Sequence, residues 1–131
     1  MDIYEAEVMR FLTDNGKRQL AVIPQYAVPP NESWSIDFLA FDLKNKKIIF
    51  VEVTKTPNQK LIDKINERAK WIAVTKRHLV EETSVVTNSW EHIVWIFVPG
   101  NSIGKIQGKI VGEKDYDFFP LKACLPQNIF S

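Results

Sequence analysis

At 131 residues and 45% hydrophobic content, with four Trp and eight Phe, the chain has material for one core and too little length for two ordinary domains. Charged residues make up 25% and the formal net charge is +1, which excludes both a composition-driven disordered chain and a surface that attracts polyanions everywhere. Cys124 stands alone, so no intrachain disulfide forms, and neither a signal-peptide pattern nor a run of about 20 apolar residues is present. The expectation is a single domain over residues 1–131, cytoplasmic and without a membrane partner.

Ile3, Tyr4, Val8, Phe11 and Leu12 fall on one arc at helical spacing, so residues 3–14 read as a helix, ended by Asn15-Gly16. Leu20 to Val28 is apolar and β-prone up to Pro29-Pro30 and reads as a first strand. Ser33–Leu43 and Lys47–Thr54, joined by a polar tetrapeptide, form the clearest hairpin; both arms are apolar at nearly every position, as in a sheet covered on two faces. Thr56-Pro57-Asn58-Gln59 carries a capping box and a proline at the first helical position, and predicts a helix from Pro57 to about Lys76 with Leu61, Ile62, Ile65, Ala69 and Ile72 facing the sheet. Residues 77–91 follow no clear pattern. Ile93–Val98 is a buried strand stopped by Pro99-Gly100, and if it runs parallel to the strand before the helix, the helix is its crossover. After Ile103 the pattern offers a strand near Lys109–Val111 and a Phe118-Phe119-Pro120 segment within an otherwise irregular or accessory tail, 99–131, outside a core of about 3–98.

The chemistry concentrates in the hairpin. With Asn45-Lys46 at the centre of the turn, Asp37 lies across from Thr54 and diagonal to Glu52, and the alternation of strand side chains puts all three on one face. A carboxylate on a strand this apolar is costly to bury; Mg²⁺ or Mn²⁺, which takes one or two carboxylates plus waters, removes the cost. Glu7 falls inside the apolar arc of the first helix, between Ile3 and Phe11, and an inward-facing acid wants a partner.

Asp on one hairpin strand, Glu52-Val53-Thr54 on the next and the order helix, three strands, helix, strand resemble the PD-(D/E)XK nuclease superfamily over roughly residues 3–98. The resemblance implies an α/β restriction-endonuclease-like core of order αβββαβ, a mixed central sheet with helices on both faces. It implies a metal held by Asp37, Glu52 and the Val53 backbone carbonyl, with Glu7 as the first-helix glutamate, and hydrolysis of DNA or RNA phosphodiesters. The sequence departs from the pattern at Thr54, where the superfamily has lysine; Lys55 points to the other face. In this superfamily the lysine can come from the following helix, where Lys60, Lys64 and Arg68 lie beside the sheet-facing arc, and Lys64 is the residue chosen here.

A separate feature agrees: from Lys55 to His78 there are seven basic residues against two acids, an excess of five in a chain of net +1. Lys55, Lys60, Lys64 and Arg68 are therefore candidates for contact with a phosphate backbone. A solvated helix face explains such a run equally well. The alternative reading makes Asp37 and Glu52 inert acids on a partly solvated sheet face beside Lys or Arg, and Glu7 half of an ion pair at the edge of the first helix. The four Trp read as core, Gln59 as part of the cap, and His78 and His92 lack the spacing of a zinc site. Three functions remain open: a Mg²⁺- or Mn²⁺-dependent nuclease, with a homodimer presenting two sites to a duplex; a catalytically inactive nuclease-fold module binding nucleic acid or protein; and a structural subunit.

Overall fold

The computed structural model describes residues 2–14, 20–29 and 34–124. Its elements run α1 (Ile3–Thr13), β1 (Ala21–Ala27), β2 (Ser35–Asp42), β3 (Lys47–Val53), α2 (Gln59–Asn66), α3 (Arg68–Glu82), β4 (Glu91–Val98), a short α4 (Ile103–Gln107) and β5 (Tyr116–Pro120). Among the described residues five strands make one mixed sheet in the order β1-β2-β3-β4-β5; the first three are antiparallel neighbours and the last three parallel. The protein is therefore of the α/β class.

Helices cover both faces, which is why β2 and β3 carry so few polar residues. Leu39, Ile48, Phe50, Val94 and Ile96 form one layer with Ile62, Ile65, Trp71 and Leu79 of α2 and α3. Phe38, Ala40, Ile49, Val51 and Phe97 form the other with Val8 and Leu12 of α1. Trp71 lies 5.4 Å from Phe50 between ring centroids, and Phe11 lies 6.0 Å from Phe97. Among the described residues no helix is long and apolar enough to cross a membrane.

The hairpin closes two residues away from the expected register. Its turn is 43–46, so Asp42 pairs with Lys47 and Phe38 with Val51. The Asp42 carboxylate fixes this turn by accepting the Asn45 amide at 3.0 Å and the Asn45 side-chain N–H at 2.8 Å, and Lys46 takes the left-handed φ of 54°. Extended along the strands, this register sets Asp37 opposite Glu52, not Thr54. Two residues is one full strand period, so the shift by itself does not separate the acids; the ladder stops at Phe38 and Val51, one residue short of both.

The single helix expected from Pro57 to Lys76 is two helices. Asn58 caps α2, its side chain accepting the Leu61 amide at 3.3 Å, and Gln59 bonds Asp63 at 2.8 Å; the Thr56–Gln59 capping box does not form. α2 stops at Asn66, where side chains compete for its last carbonyls: Lys64 O accepts from the Trp71 indole and Ile65 O from the Arg68 guanidinium, both at 2.9 Å. α3 then runs to Glu82, through part of the stretch that the pattern leaves unplaced.

Lys109–Val111 is not a strand. Asn66 pins it, donating to Lys109 O at 3.1 Å and accepting from Val111 N at 2.9 Å. The strand lies at Tyr116–Pro120 beside β4, and Leu121 and Cys124 are buried in the layer under α1, so residues 116–124 belong to the core and not to an irregular tail. The Asn15-Gly16 stop, Pro30 and the tail after Cys124 lie outside the described residues.

Candidate functional site

The β2–β3 ladder ends at Phe38 and Val51, and there the polar groups begin. Asp37 Oδ2 accepts the Val53 backbone N–H at 2.8 Å, so a side chain takes a donor at the end of the ladder. Glu52, only 4% exposed, stands between β2 and β4, where its register partner is Ile96. From the last turn of α2, Lys64 brings Nζ to 2.5 Å from Glu52 Oε1 and also donates to the Ser35 carbonyl. The ion pair is close but poorly angled: Oε1 is buried and accepts no hydrogen bond of good geometry, including from Lys64.

Burial pushes the Glu52 carboxyl well above its usual range, and the neighbouring Asp37 pushes it the same way; Lys64 pulls it back only in part. Two carboxylates held this close repel unless a proton or a further cation lies between them. Their oxygens are hard donors of the kind Mg²⁺ and Mn²⁺ take, and the Lys64 ammonium already lies against Glu52 Oε1, so an ion would share the pair with that cation. Among the described residues no group of three or more His, Cys, Asp and Glu side chains gathers, so water and backbone oxygen have to complete any coordination shell.

Of the residues singled out in the sequence, Asp37, Glu52 and Lys64 come together. Val53 meets Asp37 through its N–H. Thr54 turns its hydroxyl to the Thr56 amide at 3.2 Å. Glu7 is not brought to the pair: Arg10, one turn on, holds its carboxylate at 3.1 Å, and α1 packs on the sheet face opposite α2. Lys60 is exposed one helical turn before Lys64, and exposed Lys55 places its ammonium 5.8 Å from the centre of the Tyr4 ring.

Arg68 is a correction. It is 5% exposed, and its guanidinium bonds Asp115 at 2.7 Å, Ile65 O at 2.9 Å and Glu113 O at 2.7 Å. These bonds use one N–H on each of its three nitrogens and turn the group inward, away from the exposed helix face on which Lys60 lies. It is a structural ion pair that anchors the segment before β5, and Gly112, at φ +96°, makes room for it: a Cβ there would come 3.1 Å from an Arg68 nitrogen.

The sequence reading missed one cluster. His92 Nε2 lies 2.8 Å from the second oxygen of Asp115, and Arg68, Asp115 and His92 line one wall of a cavity of about 600 Å³ beside α3. Burial raises the Asp115 carboxyl, yet the hydrogen bonds from His92 and Arg68 outweigh it and hold the group below its ordinary value. The pairing of β4 with β5 brings His92 and Asp115 together and α3 brings Arg68 to them, and no local spacing announces either.

No family model, curated protein or solved structure matches the chain. What defines it is an α/β fold with a mixed sheet and, at the end of its central hairpin, two acids and a lysine drawn from three elements.

Proposed function

We propose that this protein is a metal-dependent nuclease acting on DNA or RNA phosphodiester bonds, built on the restriction-endonuclease-like core of order αβββαβ. The observation that carries the reading is Lys64: with Thr54 in the motif's lysine position, a helix lysine stands against the motif glutamate all the same. Asp37, Glu52 and the Val53 backbone would hold Mg²⁺ or Mn²⁺, which when bound polarises a phosphate oxygen as a Lewis acid. The Val53 N–H fixes Asp37 in place before any ion arrives. Lys64 offsets charge that develops on phosphate in a site where surrounding apolar walls keep the dielectric low. Lys60 and Lys55, both exposed, extend the positive potential along the incoming backbone. A homodimer presenting two such sites to a duplex is part of this proposal, and light scattering at micromolar concentration tests it.

A second reading, a module that keeps the fold and binds nucleic acid without cutting, is favoured by Thr54 and by Lys64 also donating to the Ser35 carbonyl. Incubation of plasmid, single-stranded DNA and RNA with Mg²⁺ or Mn²⁺ separates the two. The nuclease reading expects cleavage that disappears in Asp37→Ala. Binding without cleavage in the wild type selects the module, and cleavage that survives Asp37→Ala removes the site from the account.

A further inference from the structure

The geometry points to Gln25 as the positioning residue for Asp37: its left-handed backbone turns β1 and β2 over at the one register position where the acid must leave the sheet's ordinary alternation. Gln25 has φ 54°, a conformation that side chains with a branched Cβ avoid. The β1–β2 register passes from Pro24↔Phe38 to Tyr26↔Ile36 and steps over Gln25 and Asp37 between them.

Both strands change sides at that step. Residues two or four apart in a regular strand share a face. In β1, Val22 packs in the layer under α1 whereas Tyr26 packs in the layer under α2 and α3. In β2, Phe38 and Ala40 belong to the first layer and Ile36 to the second. A left-handed residue resets the alternation of a strand, as it does in bulges beside functional sites. Asp37 is the residue at the crossover in β2, and its carboxylate runs to the Val53 N–H at the end of the neighbouring strand. Gln25 is held in turn from α1, its side-chain N–H donating to Glu5 at 2.7 Å. Helix α1 thus reaches the acid pair through β1, without contributing a ligand.

This inference rests on the proposed metal-binding reading, and the experiment keeps the two apart. Titrate the full chain with Mn²⁺ alone, by calorimetry or by loss of free Mn²⁺ signal in electron paramagnetic resonance, in the wild type and in Gln25→Gly, Gln25→Asn and Gln25→Val, with the fold of each followed by circular dichroism. Glycine and asparagine accept a positive φ and should hold Mn²⁺ within about twofold of wild type; valine forces an extended backbone and should weaken it tenfold or more with the secondary structure intact. Gln25→Thr repeats the test with a branched side chain that adds less apolar surface, should valine fail to fold. Wild-type affinity in a folded valine or threonine variant overturns the positioning role alone. Loss in glycine and asparagine equal to that in valine also overturns it, because the side chain and not the backbone would then matter. A wild type that takes no Mn²⁺ defeats the metal reading and this inference with it.

Discussion

Lys64 Nζ stands 2.5 Å from Glu52 Oε1, although one residue sits at the end of a helix and the other on the central strand before it. The lysine has its side chain 23% exposed and the glutamate 6%, so the pair is half open to solvent on the basic side and closed on the acidic side. Such an arrangement lets the cation serve a ligand from outside while the acid stays fixed.

Removing the lysine should act on stability and on catalysis separately. Lys64→Met leaves Glu52 buried without its countercharge, and should cost about 1–3 kcal/mol at pH 8 by urea denaturation. Adding Glu52→Gln should return most of that loss, a coupling that a double-mutant cycle measures. Cleavage should fall by roughly 100-fold or more in Lys64→Met and should not return in the double variant.

Metal binding should be stronger at higher pH. The folded-state value of Glu52 lies above 4.5, so the native protein holds that proton more tightly than the unfolded chain. Its contribution to stability is complete below pH 4.5 and is lost as pH rises through the folded value. Mn²⁺ displaces the proton, so at one Mn²⁺ concentration the rise in Tm that it produces should be larger at pH 8 than at pH 6; a hundredfold excess over Kd corresponds to about 2.7 kcal/mol of added stability. Asp37→Asn should abolish most of the rise; differential scanning calorimetry reads both.

Arg68 and Lys60 should separate folding from nucleic-acid binding. Arg68→Met strands the Asp115 carboxylate in a partly buried position and should destabilise by about 3–5 kcal/mol. Lys60→Gln, on an exposed face, should change stability by less than about 0.5 kcal/mol while lowering affinity for duplex and reducing its salt dependence by about one ion. Fluorescence anisotropy across a salt series, beside denaturation curves, distinguishes the two residues.

The acid side of the stability curve should belong in part to Asp115. Its carboxyl sits below 3.8 in the folded protein, because His92 and Arg68 overcome the effect of burial. Its contribution is therefore present above pH 3.8 and lost as pH falls through the folded value. Asp115→Asn should flatten the fall in Tm between about pH 4 and pH 2, with a lower Tm at neutral pH.

Much of the frame was legible because local patterns carry it. The largely apolar stretches 33–43 and 47–54 and the apolar run 93–98 read as strands of a sheet covered on both faces, and β2, β3 and β4 lie within or over them. The nearness of Asp37 to Glu52 does not rest on the expected register: the ladder stops at Phe38 and Val51, and Asp37 reaches the neighbouring strand through the Val53 N–H. β5 went unread because Tyr116–Pro120 is short and ends on proline, which reads as a loop until β4 offers it an edge.

The sequence by itself determined four of the five strands, the two hairpin acids and the basic bias of the segment after them, since alternation and composition are properties of neighbours along the chain. It put Lys60, Lys64 and Arg68 at or beside the edge of one helical arc and favoured Lys64 as the stand-in for the motif lysine. The tertiary structure shows why they part: Trp71 and Arg68 take the last carbonyls of α2, the helix breaks at Glu67, and Lys64 meets Glu52 whereas Arg68 turns into the interior to Asp115. Glu7, inward on its arc, went to Arg10 by the same logic, because a cation three residues away costs less ordering than an acid pair across the sheet. Which charge meets which depends on where backbones end and how far a side chain reaches, and those are set by packing between segments distant along the chain.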